Sequence, residues 1–170
     1  ESYTLFAPVD SAFDHLPEGF MDNLTEDQLN EVVNYHIHSG ALYTGDIQEE
    51  SSLETVAGGT VFVKADNEIE LNRAATVVEG DKEASNGVIH KIDQVLVPDS
   101  YLTVFGIIEK RYNLTKFACH CTSGRTNLVE DLVDEGREFT VFAPSDEAFE
   151  NFEKDVDDLS DADLEHIMRY

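Results

Sequence analysis

The feature that most constrains this chain is a block that occurs twice. Residues Tyr3 to Phe13 read Y-T-L-F-A-P-V-D-S-A-F, and Phe139 to Phe149 read F-T-V-F-A-P-S-D-E-A-F. Thr, Phe, Ala, Pro, Asp, Ala and Phe recur in register, with Tyr/Phe and Leu/Val exchanges between them. The likeness continues downstream. Leu24-Thr25-Glu26-Asp27-Gln28-Leu29 is echoed by Leu159-Ser160-Asp161-Ala162-Asp163-Leu164, and Val32-Val33-Asn34-Tyr35 by Ile167-Met168-Arg169-Tyr170. The first pair of blocks is offset by 136 residues and the later pairs by 135, a loss of one residue between them. Such a period is domain-sized rather than solenoid-sized, so the chain reads as tandem globular modules, more than one and fewer than two.

The local pattern predicts a mixed α and β module. Thr4–Ala7 favours a strand and Pro8 stops it. Asp10 is expected to cap a brief helix carrying Ala12 and Phe13, with Pro17 and Gly19 closing it. Thr25-x-x-Gln28 is a capping box, followed by Leu29, Val32, Val33 and His36 at helical spacing. Residues 60–63 and 68–71 flank Ala65-Asp66-Asn67 as a hairpin. Further strands are expected at 76–78 and 87–92, the latter feeding Val95-Leu96-Val97 before Pro98. Several short strands with polar turns imply an antiparallel sheet or sandwich. Beyond Ser100, Leu102, Phe105, Ile107 and Ile108 suit one helix, and Leu128, Val129, Leu132 and Val133 another, ended by Gly136.

Charge narrows the partners. The 170 residues hold 36 acids against 11 Lys and Arg, a net charge of −25. That excess argues against nucleic acid, anionic membranes and sulfated polysaccharides, which need Lys and Arg to displace counterions. It leaves basic proteins and divalent cations open. Apolar residues make up 41% of the chain, enough for a core, and no run is long enough to cross a bilayer. Opening on Glu1 with no leader, the chain reads as a piece of something longer, so membrane attachment would come from parts outside it.

In this order the motifs resemble the fasciclin-like (FAS1) domain family. Thr4–Phe13 resembles its first signature segment, Tyr35-His36 its Tyr-His pair, and Asn86-Gly87-Val88-Ile89-His90-Lys91-Ile92-Asp93, followed by Val95-Leu96-Val97-Pro98, its second. The resemblance covers essentially the whole chain. It implies an α+β FAS1 fold, a wedge-shaped antiparallel β-sandwich with a packed helical layer, in tandem. Residues 1–98 then form a module lacking its N-terminal helices, and 99–170 the N-terminal part of the next. Residues 99–138 are the kind of helical segment that 1–98 lacks, so closure on itself or exchange between copies is open. The resemblance also implies an extracellular, secreted or cell-surface adhesion or matrix protein. Its expected partners are then cell-surface or matrix proteins, with integrins one candidate; no nucleophile, base and orienter can be assembled from the sequence, so neither enzyme activity nor a cofactor is expected. An acidic matrix protein that binds calcium weakly or modulates mineral is the alternative.

The candidate residues follow. Tyr35, His36, Asn86, Gly87 and His90 form the adhesion or structural motif, with a hydrogen-bonded structural role preferred for the histidines. Asp10, Thr25 and Asp146 are helix caps rather than metal ligands or catalytic acids. Asn23-Leu24-Thr25 and Asn113-Leu114-Thr115 are glycosylation sequons at Asn23 and Asn113. Cys119 and Cys121 stand two apart, too close for an unstrained mutual disulfide, and are candidates for bridges to cysteines outside this sequence. Cys-His-Cys alone does not complete a metal site, and no metal is assigned. An integrin-associated Asp-Ile of some family members would fall at Gly80–Ser85, which lacks it, whereas Asp46-Ile47 lies elsewhere. The acidic run Glu150–Glu165, with Glu153, Asp155, Asp157, Asp158, Asp161 and Asp163, has no EF-hand order and reads as a solvated surface.

Overall fold

The computed structural model describes residues 2–134, 136–152 and 156–170. It divides into two compact units, Glu1–Tyr101 and Leu102–Tyr170.

In the N-terminal unit seven strands form one curled sheet in the order β2-β1-β7-β6-β5-β4-β3. They are β1 (Tyr3–Pro8), β2 (Ile37–Ser39), β3 (Glu50–Glu54), β4 (Thr60–Ala65), β5 (Ile69–Leu71), β6 (Ala75–Ala84) and β7 (Gly87–Ile92). The expected hairpin is β4–β5, paired from Val63↔Leu71 to Ala65↔Ile69. All pairings are antiparallel except β1 with β7, which runs parallel from Tyr3↔Gly87 to Pro8↔Ile92. Register shifts in β6 between Val77 and Lys82 turn it from one half of the sheet to the other. The two ends of the strand order then meet: His38 bridges Thr55, and the Val56 N–H donates to the Ile37 carbonyl at 2.8 Å.

Inside the curl, Phe6, Tyr35, Val61, Val63, Leu71, Ala75, Ile92 and Leu96 form one buried cluster. Burial of each such side chain is worth about 1.5–3 kcal/mol. Helix α1 (Glu26–Tyr35) closes one end. Thr25 starts it: its hydroxyl accepts the Gln28 N–H, and the Gln28 side chain accepts the Thr25 N–H at 2.9 Å. Val32 joins Ala12 and Val95 in a second cluster, with Leu16, Leu24 and Tyr101 against it.

The C-terminal unit is helical: α2 (Val104–Glu109), α3 (Thr115–Thr122), α4 (Leu128–Leu132), α5 (Asp146–Glu150) and α6 (Asp161–Met168). Phe105, Ile108, Phe117, Cys121, Leu128 and Leu132 are its core, and Phe149 and Met168 pack onto it. Among the described residues no helix is long and apolar enough to cross a membrane.

Several expectations are corrected. Asp10 does not cap: the cap position of the 3-10 turn Asp10–His15 is Val9, without a side-chain bond. The Val9 N–H is held by the Ile92 carbonyl at 2.9 Å, so the extended chain ends at Val9 and Asp10 is already in the turn. Nor does Asp146 cap its own helix, because Ser145 takes that place and accepts the Ala148 N–H at 3.2 Å. Residues 95–97 form no strand, although Val95 and Leu96 are buried. Helix α3 is additional to the two helices expected, and α4 stops at Leu132, four residues before Gly136.

Candidate functional site

The residues of the Tyr-His and Asn-Gly-Val-Ile-His motifs converge on β1, β7 and the end of α1. The side chains of Tyr35, His36, Val88 and His90 face inward. Tyr35 is fully buried; its hydroxyl donates to the Thr60 carbonyl at 2.7 Å and accepts from Asn72 Nδ2 at 3.3 Å. His36 Nε2 accepts the Leu96 N–H at 2.9 Å, which leaves Nδ1 to donate to the Val32 carbonyl at 2.7 Å. Burial pushes the His36 pKa down, against the Val32 bond that favours the cation. His90 repeats the scheme: Nδ1 accepts the Asp81 N–H at 3.2 Å, so Nε2 donates to the Leu42 carbonyl at 2.8 Å. Each imidazole thus cross-links distant main-chain segments, one ring nitrogen to an N–H and the other to a carbonyl.

Gly87 has a different task. A Cβ there would lie 2.0 Å from the Tyr3 carbonyl oxygen, so β1 and β7 can pair this closely only over a glycine. Asn86 takes the Tyr3 N–H on its carbonyl at 3.0 Å and fixes the same end of the pairing.

Outside the core, strand alternation turns Tyr3, Leu5 and Ile89 toward the opposite face. With Ile37, Val56 and Gly87 they line an apolar cleft of about 400 Å³. Asn86 is also on its lining, so the motif contributes a rim to this surface while its rings stay inside. Such a cleft offers dispersion contacts and burial to an apolar side chain.

The stretch Gly80–Ser85 occupies the second half of β6 and the first residue of the turn after it. At its bend Asp81 has φ of 58°, and its carboxylate accepts the Thr44 N–H at 2.8 Å and the Thr44 hydroxyl. Those Thr44 bonds hold the Asp81 carboxyl below the usual carboxylate range. Asp46 is exposed at a 3-10 turn, while Ile47 packs against the main core.

Asn23 and Asn113 are exposed. Cys119 is exposed, but Cys121 is buried in the helical core, where burial pushes its thiol up to about 11. A bridge from Cys121 would need its partner cysteine packed into this core, whereas Cys119 can be reached from the surface. Among the described residues no three His, Cys, Asp or Glu are grouped to hold a metal ion. Glu153 and Asp155 of the acidic run lie outside the described residues.

Two structural residues, Asn72 and Lys110, are not marked by the sequence, and a third, Asp146, has a role other than the cap expected of it. Asn72, at φ of 54°, buries its amide to accept the Phe62 N–H at 2.8 Å and to reach Tyr35. Its signal was an Asn-Arg pair between two strands. Lys110 is buried at the end of α2, and burial lowers its ammonium to about 8. Asp146 accepts the Lys116 N–H at 2.8 Å and the Thr115 hydroxyl at 2.7 Å, so it serves the start of α3.

A curled sheet closed by a helix, with Tyr35, His36 and His90 held in main-chain hydrogen bonds, defines an α+β module. The family model of the fasciclin domain matches residues 1–98 and 113–170, and the chain belongs to that family. It is similar to human periostin, at 33% identity over 150 residues, covering 86% of this chain and 17% of periostin. It is similar to the pig transforming growth factor-beta-induced protein ig-h3, at 36% over 106 residues, covering 61% of this chain and 16% of that protein. The chain thus spans under a fifth of the length of these relatives. The fold matches the FAS1 domain pair from the insect cell adhesion molecule fasciclin I with a TM-score of 0.64 and 23% identity, covering 88% of this chain and 54% of that one.

Proposed function

We propose that the chain is an extracellular interaction module, part of a tandem fasciclin array that holds cell-surface or matrix proteins by protein–protein contact. The observation that carries the reading is the division of labour in the family motif. Tyr35, His36 and His90 are consumed inside, whereas Tyr3, Leu5, Ile37, Val56 and Ile89 present a continuous apolar cleft outside. A surface of that kind suits recognition of another protein's apolar side chains and supplies no reaction. Fasciclin I is itself described as a cell adhesion molecule, and the chain shares its fold. Exposed sequons at Asn23 and Asn113 fit glycan attachment in a secretory setting.

The test is cell attachment to surfaces coated with the glycosylated protein, beside albumin-coated controls. Saturable attachment that Leu5→Asp and Ile89→Asp each reduce at least about tenfold supports the cleft as the contact. Attachment no better than on albumin sinks the adhesion reading. Loss of attachment on chelating divalent cations assigns the receptor to a metal-dependent class such as the integrins.

A further inference from the structure

Asn86 is the one asparagine of the chain that a glycine follows. It stands, exposed, in the turn Ser85-Asn86 between β6 and β7, which the pairing of Ala84 with Gly87 closes. Its main chain is held, because its carbonyl takes the Tyr3 N–H at 3.0 Å. Its side-chain amide is not: among the described residues no hydrogen bond engages it. An asparagine Cγ and the nitrogen of the next residue can close a five-membered ring. A Cβ on that next residue obstructs the closure, and glycine has none. The fold leaves no other choice at this position. A Cβ on residue 87 would lie 2.0 Å from the Tyr3 carbonyl oxygen, so the strand pairing that demands glycine also removes the steric guard on the Asn86 amide.

We propose that Asn86 is a site of spontaneous modification by water, which converts the Asn86–Gly87 link to an isoaspartyl one and loosens the start of β1 from β7. The Gly87 nitrogen attacks Asn86 Cγ as it gives up its proton, and the side-chain nitrogen leaves as ammonia. Water then opens the cyclic imide. Addition at Cγ breaks the new C–N bond and yields aspartate. Addition at the former main-chain carbonyl breaks the original C–N bond, so the chain continues through Cβ and Cγ. Water is the only co-reactant, and nothing is oxidised or reduced. Ring closure needs only the Ala84–Gly87 end of the hairpin to fray, a local opening rather than unfolding of the sheet. In the isoaspartyl product the carbonyl that took the Tyr3 N–H belongs to a free carboxylate, and the link to Gly87 is one carbon longer. The pairing of Tyr3 with Gly87, which tolerates no added atom at residue 87, then loses its first rung. Either product also adds a negative charge to the lining of the outer cleft. The inference rests on this one link and stands whatever the cleft binds.

The experiment is ageing of the full chain at mildly alkaline pH in water enriched in heavy oxygen, followed by peptide mass mapping that separates aspartate from isoaspartate. The expected result is heavy-oxygen uptake at Asn86 at least about tenfold faster than at Asn67, which is also exposed but precedes Glu68. Isoaspartate is expected among the products, since only the cyclic imide leads to it. Asn86→Gln, whose longer side chain would have to close a six-membered ring, removes the uptake there and leaves the circular dichroism unchanged, as befits an exposed turn residue. The modified fraction carrying isoaspartate, separated from intact chain by its added charge, exchanges its Tyr3 N–H faster while the buried Val61 and Val63 keep their protection. Uptake at Asn86 no faster than at Asn67 overturns the proposal, and so does a product that is aspartate alone. A modified fraction whose Tyr3 N–H exchanges at the original rate overturns the loosening of β1.

Discussion

The Asp146 carboxylate takes the Lys116 N–H at 2.8 Å, so the first residue of α5 serves as the acceptor at the start of a helix 30 positions earlier in the chain. A second oxygen accepts the Thr115 hydroxyl at 2.7 Å. Burial raises the Asp146 pKa, but the bonds from Thr115 and Lys116 outweigh it and leave the carboxyl below its ordinary value. A group whose folded pKa is depressed contributes stability above its unfolded pKa and loses it as pH falls through the folded one. Asp146→Ala is therefore expected to destabilise the helical unit by about 1–2 kcal/mol at pH 7. The gap to wild type should close below the ordinary Asp range, as denaturant melts at stepped pH would show. A gap that stays constant down to pH 2 would mean that the carboxylate's charge is irrelevant.

His36 gives a second pH dependence of the same sign at a higher pH. Because burial lowers its folded pKa, the unfolded chain binds a proton that the folded chain refuses. Stability from this residue is full above about pH 6.5, the unfolded value, and falls as pH drops below it. His36→Ala also strands the Leu96 N–H and the Val32 carbonyl, with an expected loss of about 2–4 kcal/mol. Nuclear magnetic resonance titration of the ring provides the check. An apparent pKa at or above that of a free histidine would contradict the neutral cross-link.

Gly87 tests the close approach of the one parallel pair. With a Cβ placed 2.0 Å from the Tyr3 carbonyl oxygen, Gly87→Ala must separate β1 from β7. The contact is with main chain, which cannot swing aside, so the expected cost is more than about 3 kcal/mol. Hydrogen exchange should show lost protection along residues 3–8 and 87–92 before other strands. Uniform retention of protection would refute this account.

What the sequence disclosed, it disclosed through local chemistry. Pro8, the Thr25–Gln28 box and the turn at residues 65–67 each act within a few positions, and the structure has an element ending, a helix start and a hairpin there. Contacts made across the fold were opaque. Val95-Leu96-Val97 looks like a strand, yet Leu96 is placed by the His36 ring 60 positions away. In α3 the apolar positions Phe117, Ala118 and Cys121 are interleaved with Lys116, Cys119 and His120, so no periodic run stood out. Asp146 looked like a cap because an acid after a strand-Pro turn usually is one. The adjacent Ser145, unlike Val9 in the first copy, has a hydroxyl and takes the position, which frees the carboxylate for α3.

The two cysteines should separate cleanly in a labelling experiment. Cys119 is exposed, whereas burial keeps the Cys121 thiol protonated with a pKa of about 11. Only thiolate reacts with alkylating agents, so at pH 8 one equivalent should couple quickly and the second only as the helical unit opens. Peptide mass mapping identifies the sites. Labelling of Cys121 at the rate of Cys119 in folded protein would show that the helical core is open in solution.

The last expectation concerns the acids. A net charge of −25 on 170 residues is strongly self-repelling, and salt screens it over roughly 10 Å at 0.1 M and 3 Å at 1 M. Raising sodium chloride should therefore raise the melting temperature, by several degrees on the scale that about 1 kcal/mol produces in a domain of this size. Screening depends on ionic strength and not on the identity of the cation, whereas a coordination site does discriminate, because calcium takes six to eight oxygens in a flexible shell and magnesium demands a tight octahedron. Among the described residues no three acidic, His or Cys side chains are grouped as ligands. A screened, solvated surface predicts that melts in calcium chloride and magnesium chloride coincide at matched ionic strength. A calcium melt that stands several degrees above the magnesium one, with saturable heat in titration calorimetry, would move the acids from a solvated surface to a specific site and favour a calcium-binding matrix role.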